Sequence, residues 1–283
     1  MKEFKPIPIG VEDFKVIIDK GSYYVDKTDM IRELLDSGAT VNLFTRPRRF
    51  GKTLNISMLQ RFFEKTDEDN AYLFDGLNIS QAGEKYMQHQ GQYPVISLSL
   101  KSMKQPNYDL SFYTFRYMIR SEFGRHIEVL QSDQLLPEDK KIFEEICNNT
   151  ADDSVFINAV RFLSDCLYAV YQKKVITLID EYDVPLEASH FRGFYDKMVD
   201  LIRSVFESAL KTNPYLEFGV LTGCLRVSKE SIFTGLNNLN VYTVINNDFS
   251  HCFGFTQQEV EKIADDFGMQ DKLSEMKQWY DGE

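Results

Sequence analysis

Cysteine and histidine are scarce in this chain, and scattered. The 283 residues include Cys147, Cys166, Cys224 and Cys252, and His89, His126, His190 and His251. No pair has the spacing of a metal knuckle, so the pattern predicts neither a zinc site nor a disulfide framework. The cysteines read as core or near-core thiols of a reducing compartment. Long apolar runs are missing too. Nothing approaches the length of a membrane span, and the opening Met1-Lys2-Glu3-Phe4-Lys5-Pro6 holds no apolar signal core, so the expectation is a cytoplasmic protein with no membrane partner. A basic balance is also lacking. The formal net charge of −11 argues against a broad nucleic-acid surface, while leaving room for a local basic patch. There is no internal repeat, no low-complexity tract and no Asn-Lys-x-Asp guanine motif. At 43% hydrophobic and 27% charged residues, the composition is that of a soluble globular protein. The length allows one large domain or two small ones.

One more absence lies inside the strongest motif. Arg46-Pro47-Arg48-Arg49-Phe50-Gly51-Lys52-Thr53 follows the apolar run Val41-Asn42-Leu43-Phe44 and precedes the helix-like Leu54-Asn55-Ile56-Ser57-Met58-Leu59-Gln60. Strand, loop, Gly-Lys-Thr, helix is the context of a phosphate-binding loop. Amide groups and the helix dipole at such an N-terminus favour an anion. Lys52 would reach the β/γ-phosphates, Thr53 would place its hydroxyl on Mg²⁺, and Gly51 allows close approach. The usual opening glycine is replaced by Arg46, which must either take a different backbone path or contribute charge. The alternative is a basic loop ahead of a surface helix.

A second motif supports the first. Lys173-Lys174-Val175-Ile176-Thr177-Leu178-Ile179-Asp180-Glu181 is a β-branched apolar run ending in two carboxylates, the pattern of a strand buried on both faces. Ligands of open α/β sheets bind at the carboxyl ends of strands. Asp180 would hold Mg²⁺ there, and Glu181 would polarise a water for attack on the γ-phosphate. The alternative is an acidic turn after a core strand.

The remaining pattern alternates strands and helices, which predicts an α/β domain with a mainly parallel sheet and flanking helices. Strands are expected near Thr40–Phe44, Tyr93–Leu100, Val175–Ile179, Leu216–Leu221 and Val241–Ile245. Helices are expected over Asp29–Ser37, capped by Asp26 or Thr28 and ended by Gly38, after the loop to about Glu64, over most of 107–173, and from Met198 to Leu210, stopped by Asn213-Pro214. Thr256-Gln257-Gln258-Glu259 is a capping box opening a helix through Ile263, and another helix runs from about Asp271 to Trp279. The chain thus divides into 1–252, a nucleotide-binding domain with an N-terminal arm, and 253–283, the start of a small helical appendage with Trp279 as its anchor. The ending Tyr280-Asp281-Gly282-Glu283 suggests that more chain follows.

Tyr24-Val25-Asp26-Lys27-Thr28, Arg46 to Thr53, Leu178-Ile179-Asp180-Glu181-Tyr182-Asp183, Leu221-Thr222-Gly223 with Ser231-Ile232-Phe233, and Phe253-Gly254-Phe255-Thr256 together resemble the predicted AAA-ATPase-like family, in that family's order. The resemblance implies a P-loop NTPase core of the additional-strand class, with the first strand flanked by the third and fourth. It implies ATP and Mg²⁺ as ligands, ATP rather than GTP, and Mg-dependent hydrolysis with Lys52 and Glu181 as catalytic groups. Relatives often continue into a PD-(D/E)XK nuclease-like domain, so nucleic acid would be met only through a domain beyond this chain. In that architecture Thr222 is placed to sense the γ-phosphate or simply forms a Thr-Gly turn. Arg226 is an arginine finger, acting in its own or a neighbouring subunit of a homo-oligomer, or a surface ion pair. Arg48 and Arg49 could bind phosphate, a partner carboxylate or nucleic acid. Asp183 either supports Asp180 or, as the favoured reading, caps the next turn. Tyr23 and Tyr24 read as core rather than adenine contacts. The leading function is an ATP-dependent switch acting on the appendage and a C-terminal domain. The rivals are a nucleotide-binding module with little turnover, a nucleic-acid-associated protein using ATP structurally, and a small-molecule kinase, for which no second pocket is evident.

Overall fold

Strands that are apolar on both faces need cover on both sides, and here they form the middle of three layers. The computed structural model describes residues 4–224, 232–233, 236 and 238–280. In chain order the strands are β1 (Val41–Thr45), β2 (Val95–Ser99), β3 (Val175–Asp180), β4 (Leu216–Gly223) and β5 (Leu239–Tyr242). They lie in the order β2-β3-β4-β1-β5, all parallel. Every residue of β1 and β3 is buried. In β3, Val175 and Ile179 enter one apolar layer, and Ile176 and Leu178 enter the other, the two-residue period of a pleated strand.

The helices are α1 (Phe14–Asp19), α2 (Asp29–Ser37), α3 (Lys52–Phe63), α4 (Glu84–Met87), α5 (Tyr108–Arg125), α6 (Pro137–Cys147), α7 (Asp153–Tyr171), α8 (Val184–Arg192), α9 (Tyr195–Phe206), α10 (Gln257–Asp266) and α11 (Leu273–Tyr280). Helices α1, α2 and α3 cover one face of the sheet, and α5, α6, α7 and α9 the other. The expected α/β architecture with a parallel sheet is present.

Four expectations are corrected. The first strand is flanked by β4, as expected, but its other neighbour is β5 rather than β3. Seven of the eight residues of β4 are buried, which suits a central position, whereas the four-residue β5 exposes Asn240 and suits an edge. Strand β5 also ends earlier than its β-branched residues suggest. The Asn246 side chain accepts hydrogen bonds from the Thr243 amide (2.7 Å) and hydroxyl (2.9 Å), which closes a turn and leaves Val244 and Ile245 exposed. Helix α8, which the pattern did not predict, starts at Val184-Pro185, where proline fits a first turn. Thr28 holds the N-cap position of α2, its carbonyl accepting the Ile31 amide (3.0 Å), but its side chain does not bond the helix. Its hydroxyl instead donates to Asp26 (2.6 Å) and accepts from the Ile79 amide (3.1 Å), so the Tyr24–Thr28 motif fastens the N-terminal arm to a distant turn. Gly38 ends α2 with φ +58°, and the capping box of α10 forms as the sequence predicts.

The outer edge of β2 is finished by side chains. Glu122 accepts the Ser97 amide (2.8 Å), while His126 Nε2 lies 3.2 Å from the Val95 carbonyl, which also accepts from Arg125 (2.5 Å). Arg125 bridges Glu122 and Glu64. Burial pushes the Glu122 carboxyl up, but hydrogen bonds from His126 and Arg125 outweigh it and hold the group below its ordinary 4.5. A carboxylate depressed in the fold stabilises it above the unfolded value, and that stability is lost as pH falls through the folded value. The urea midpoint should therefore exceed that of Glu122→Gln most at neutral pH, with the gap closing below about pH 4. Parallel midpoints across that range would refute the assignment.

Candidate functional site

The site is built where β1, β3 and β4 end. After Thr45 the chain keeps the ladder for one residue, the Arg46 amide donating to the Gly223 carbonyl (3.0 Å). The loop then turns into α3 through Gly51, at φ +78°. A Cβ on Gly51 would meet nothing within 4 Å, so glycine is needed there for backbone conformation rather than for space. The first turn of α3 carries no acidic residue, which leaves its amide groups and dipole available to an anion.

Lys52 is 7% exposed. Its ammonium folds back over the loop to the carbonyls of Arg46 and Pro47 (both 2.9 Å) and to Cys224 Sγ (3.3 Å). Two of these partners are carbonyls, and no ion pair from Lys52 to Asp or Glu occurs among the described residues. Thr53 points the other way, its hydroxyl donating to Asp180 Oδ2 (2.6 Å).

Asp180, 2% exposed, closes the end of β3. Its Oδ1 accepts from the Thr222 hydroxyl and from the Glu181 amide. Thr222 is fully buried, and its carbonyl accepts the Tyr182 amide (3.1 Å). Glu181 sits between these anchored neighbours at φ +54°, a backbone state uncommon for a residue with a side chain. Burial, then the Asp180 charge, push its carboxyl above the ordinary glutamate value against the pull of Lys101 and Lys52. Lys101 is itself paired with Glu12 of the N-terminal arm (3.0 Å).

The structure thus brings Gly51, Lys52, Thr53, Asp180, Glu181 and Thr222 together. It places the arginines elsewhere. Arg46 is 3% exposed and points behind the loop, donating to the carbonyls of Thr45 (3.0 Å) and Tyr242 (2.7 Å), with Phe249 O at 3.5 Å. Its guanidinium lies 4.8 Å from the centroid of the Phe253 ring. Arg46 therefore follows a regular backbone path, and its charge ties β5 and the 249–253 segment to the loop. Arg48 is exposed and pairs with Glu187 (3.3 Å), and Arg49 is exposed at φ +71°. Asp183 occupies the N-cap position of α8, its carbonyl accepting the Glu187 amide (2.9 Å), but its side chain makes no capping bond; the carboxylate accepts the Cys224 amide (2.8 Å). Arg226 and most of 228–240 lie outside the described residues, as do the Trp279 side chain and the 281–283 ending. Tyr24 is partly buried and packs edge-on against Phe14, and Tyr23 bonds Asp266 (2.7 Å), so both belong to packing.

Sequence reasoning overlooked three participants. Cys224 approaches Lys52, yet nothing local separates it from a core thiol. Lys101 reaches the site only through the pairing of β2 with β3. Lys27 is buried, bonding both carboxylate oxygens of Glu259 (2.6 and 2.7 Å) and the His251 carbonyl (2.8 Å); it lies inside a quoted motif but received no role. Two further bonds connect the loop and α3 to the 252–254 segment. The Gly254 amide donates to the Phe50 carbonyl (3.1 Å), and Asn55 of α3 donates to the Cys252 carbonyl (2.8 Å).

Among the described residues no helix is long and apolar enough to cross a membrane. No solved structure matches the chain. A protein described as "Uncharacterized protein in vnfD 5'region", from Azotobacter chroococcum mcd 1, is 27% identical over 281 residues, covering 98% of this chain and 48% of that protein. The chain therefore spans about half the length of this relative. A profile of the family described as Predicted AAA-ATPase matches residues 8–233, the region that contains the loop, both carboxylates and Thr222. The chain belongs to the predicted AAA-ATPase family.

Proposed function

We propose that this chain binds ATP with Mg²⁺ at the 46–53 loop and hydrolyses it, using the cycle as a switch. The observation that carries this reading is the buried Asp180 bridging two hydroxyls, Thr53 and Thr222, beside a buried Lys52 whose ammonium is bonded to loop carbonyls. Oxygen donors alone, one of them a carboxylate, fit a hard cation such as Mg²⁺, and an enclosed ammonium bonded to carbonyls fits an incoming phosphate. Bound Mg²⁺ would neutralise phosphate charge. Thr53 and Asp180 would hold it. Lys52 would exchange its carbonyl partners for phosphate oxygens. Glu181 would accept the proton of the attacking water as its oxygen bonds the γ-phosphorus and the bond to the bridging oxygen breaks. The place of β4 between β1 and β3 supports the additional-strand class.

Arg46 has no direct phosphate contact in this reading, because its charge is engaged behind the loop. Arg49, exposed at the rim, and Arg48, which would exchange its Glu187 partner, are the arginines that would approach phosphate. Thr222 would report the γ-phosphate to β4 through its bond with Asp180. Arg226 as an arginine finger, a homo-oligomer, a cytoplasmic setting and control of a further C-terminal domain belong to the same proposal. The Phe50–Gly254 and Asn55–Cys252 bonds support a switch, since a loop that moves on binding would pull on the start of the appendage.

Titration with Mg-ATP, followed by thermal shift and by phosphate release, tests the site. Lys52→Ala is expected to abolish the shift. Asp180→Asn should keep some binding but lose its Mg²⁺ dependence. An unchanged shift in Lys52→Ala would place nucleotide elsewhere. Binding without phosphate release in the wild type would favour a nucleotide-binding module.

A further inference from the structure

We propose that Glu33, His251 and Cys252 form a binding site for a divalent metal ion of the zinc class, clamping α2 to the segment that precedes the appendage. The ligand atoms of the three side chains all lie within 4.8 Å of one another, with His251 Nε2 2.9 Å from a Glu33 carboxylate oxygen. One carboxylate, one imidazole and one thiol, whose proton the bound ion would displace, make a mixed donor set. Hard cations such as Mg²⁺ or Ca²⁺ prefer oxygen alone, whereas Zn²⁺ accepts oxygen, nitrogen and sulfur together. Three protein donors leave a fourth tetrahedral position for water. His251 is close to half exposed and provides the entry path, while Cys252 is 1% exposed and forms the floor.

The surroundings hold the donors in place, as outer partners of a metal site must. The second Glu33 oxygen accepts the Phe249 amide (3.0 Å). The His251 carbonyl accepts from Lys27 (2.8 Å), and the Cys252 carbonyl accepts from Asn55 (2.8 Å). Lys27 and Arg46 are the cations facing this cluster, and Glu33 and Asp29 the anions. Lys27 is neutralised by Glu259, which lowers the cost of placing another cation beside it. The alternative is a surface Glu–His pair above a core thiol. Sequence spacing could not reveal this triad, because Glu33 lies more than two hundred residues from His251 and Cys252 and is brought to them only by the packing of α2. A metal here would fix the backbone whose carbonyls receive Arg46 and Asn55, coupling the ion to the loop whether or not the loop binds ATP.

The test is a titration of chelator-stripped protein with Co²⁺, read by absorbance and then displaced by Zn²⁺. The expected result is one cobalt per chain, with a thiolate-to-cobalt charge-transfer band and the visible bands of a four-coordinate site. Cys252→Ala should remove the charge-transfer band. His251→Ala, at a half-exposed position where folding is not at risk, should weaken binding by at least about tenfold, as should Glu33→Gln. Cys224→Ser should leave the cobalt spectrum and affinity unchanged. The absence of a cobalt band in the wild type, or a band that survives Cys252→Ala or disappears with Cys224→Ser, would overturn the proposal. So would Co²⁺ affinity unchanged in His251→Ala.

Discussion

Glu181→Gln is expected to slow ATP turnover by about 10²–10⁴-fold, the usual contribution of a positioned general base, while Mg-ATP binding survives. The amide keeps the shape of the side chain and cannot take a proton. The residue is fixed as few glutamates are. Its neighbours are pinned, Asp180 by two hydroxyls and Tyr182 by the Thr222 carbonyl. Between them Glu181 is held at positive φ, a strained state that persists only where the surroundings impose it. The same variant should be more stable than the wild type at neutral pH. A carboxyl whose value is raised in the fold contributes stability that is present below its unfolded value and is lost as pH rises through the folded value. Removing the ionisable group removes that loss. The urea midpoint of Glu181→Gln should thus exceed the wild type at pH 7 and converge with it in acid. Full turnover in the variant would remove Glu181 from the chemistry, and a lowered midpoint at pH 7 would contradict the electrostatic account.

Gly223→Ala should be the most damaging single methyl at the site. An added Cβ would lie 2.5 Å from the Tyr182 ring and 2.8 Å from the Asp183 carboxylate. Neither neighbour can retreat cheaply: Tyr182 is fully buried and packs edge-on against Phe233, and Asp183 holds the Cys224 amide. Overpacking of this kind costs about 1–3 kcal/mol, and the displaced groups flank both Asp180 and Lys52. The expected outcome is a clearly lowered urea midpoint together with nucleotide affinity reduced at least about tenfold, roughly 1.4 kcal/mol of lost binding. Gly51→Ala makes the contrast. It meets open space, but at φ +78° it should cost about 1–2 kcal/mol through backbone strain alone. Wild-type stability and affinity in Gly223→Ala would show that the β3 and β4 ends are looser than they look.

The parts of the fold legible in the sequence were those written in local pattern. Continuous apolar runs mark β1, β3 and β4 because a strand covered on both faces has no polar side to show. Gly51-Lys52-Thr53 and Asp180-Glu181 are recognisable because their chemistry is contiguous. Arg46 was not legible. A guanidinium beside a phosphate loop suggests phosphate, and only the three-dimensional course of 242–253 supplies the carbonyls that claim it. Asp183 misled in the same way, since an acid before a helix resembles a cap until Cys224 arrives from β4. Strand order stayed open because an edge and a centre differ by tertiary pairing more than by composition. Residues such as Lys101 and Cys224 carry no local mark at all.

The side chains along β2 have a consequence for the solution behaviour of the protein. An unprotected outer strand offers amides and carbonyls on which another chain can grow, the usual start of edge-to-edge aggregation. Here the Val95 carbonyl and Ser97 amide are already engaged by His126, Arg125 and Glu122. The sheet is thus closed to strand addition on that side as long as Glu122 remains ionised. Acid would reopen it, so precipitation at low pH should begin through strand addition at β2, before the rest of the molecule unfolds.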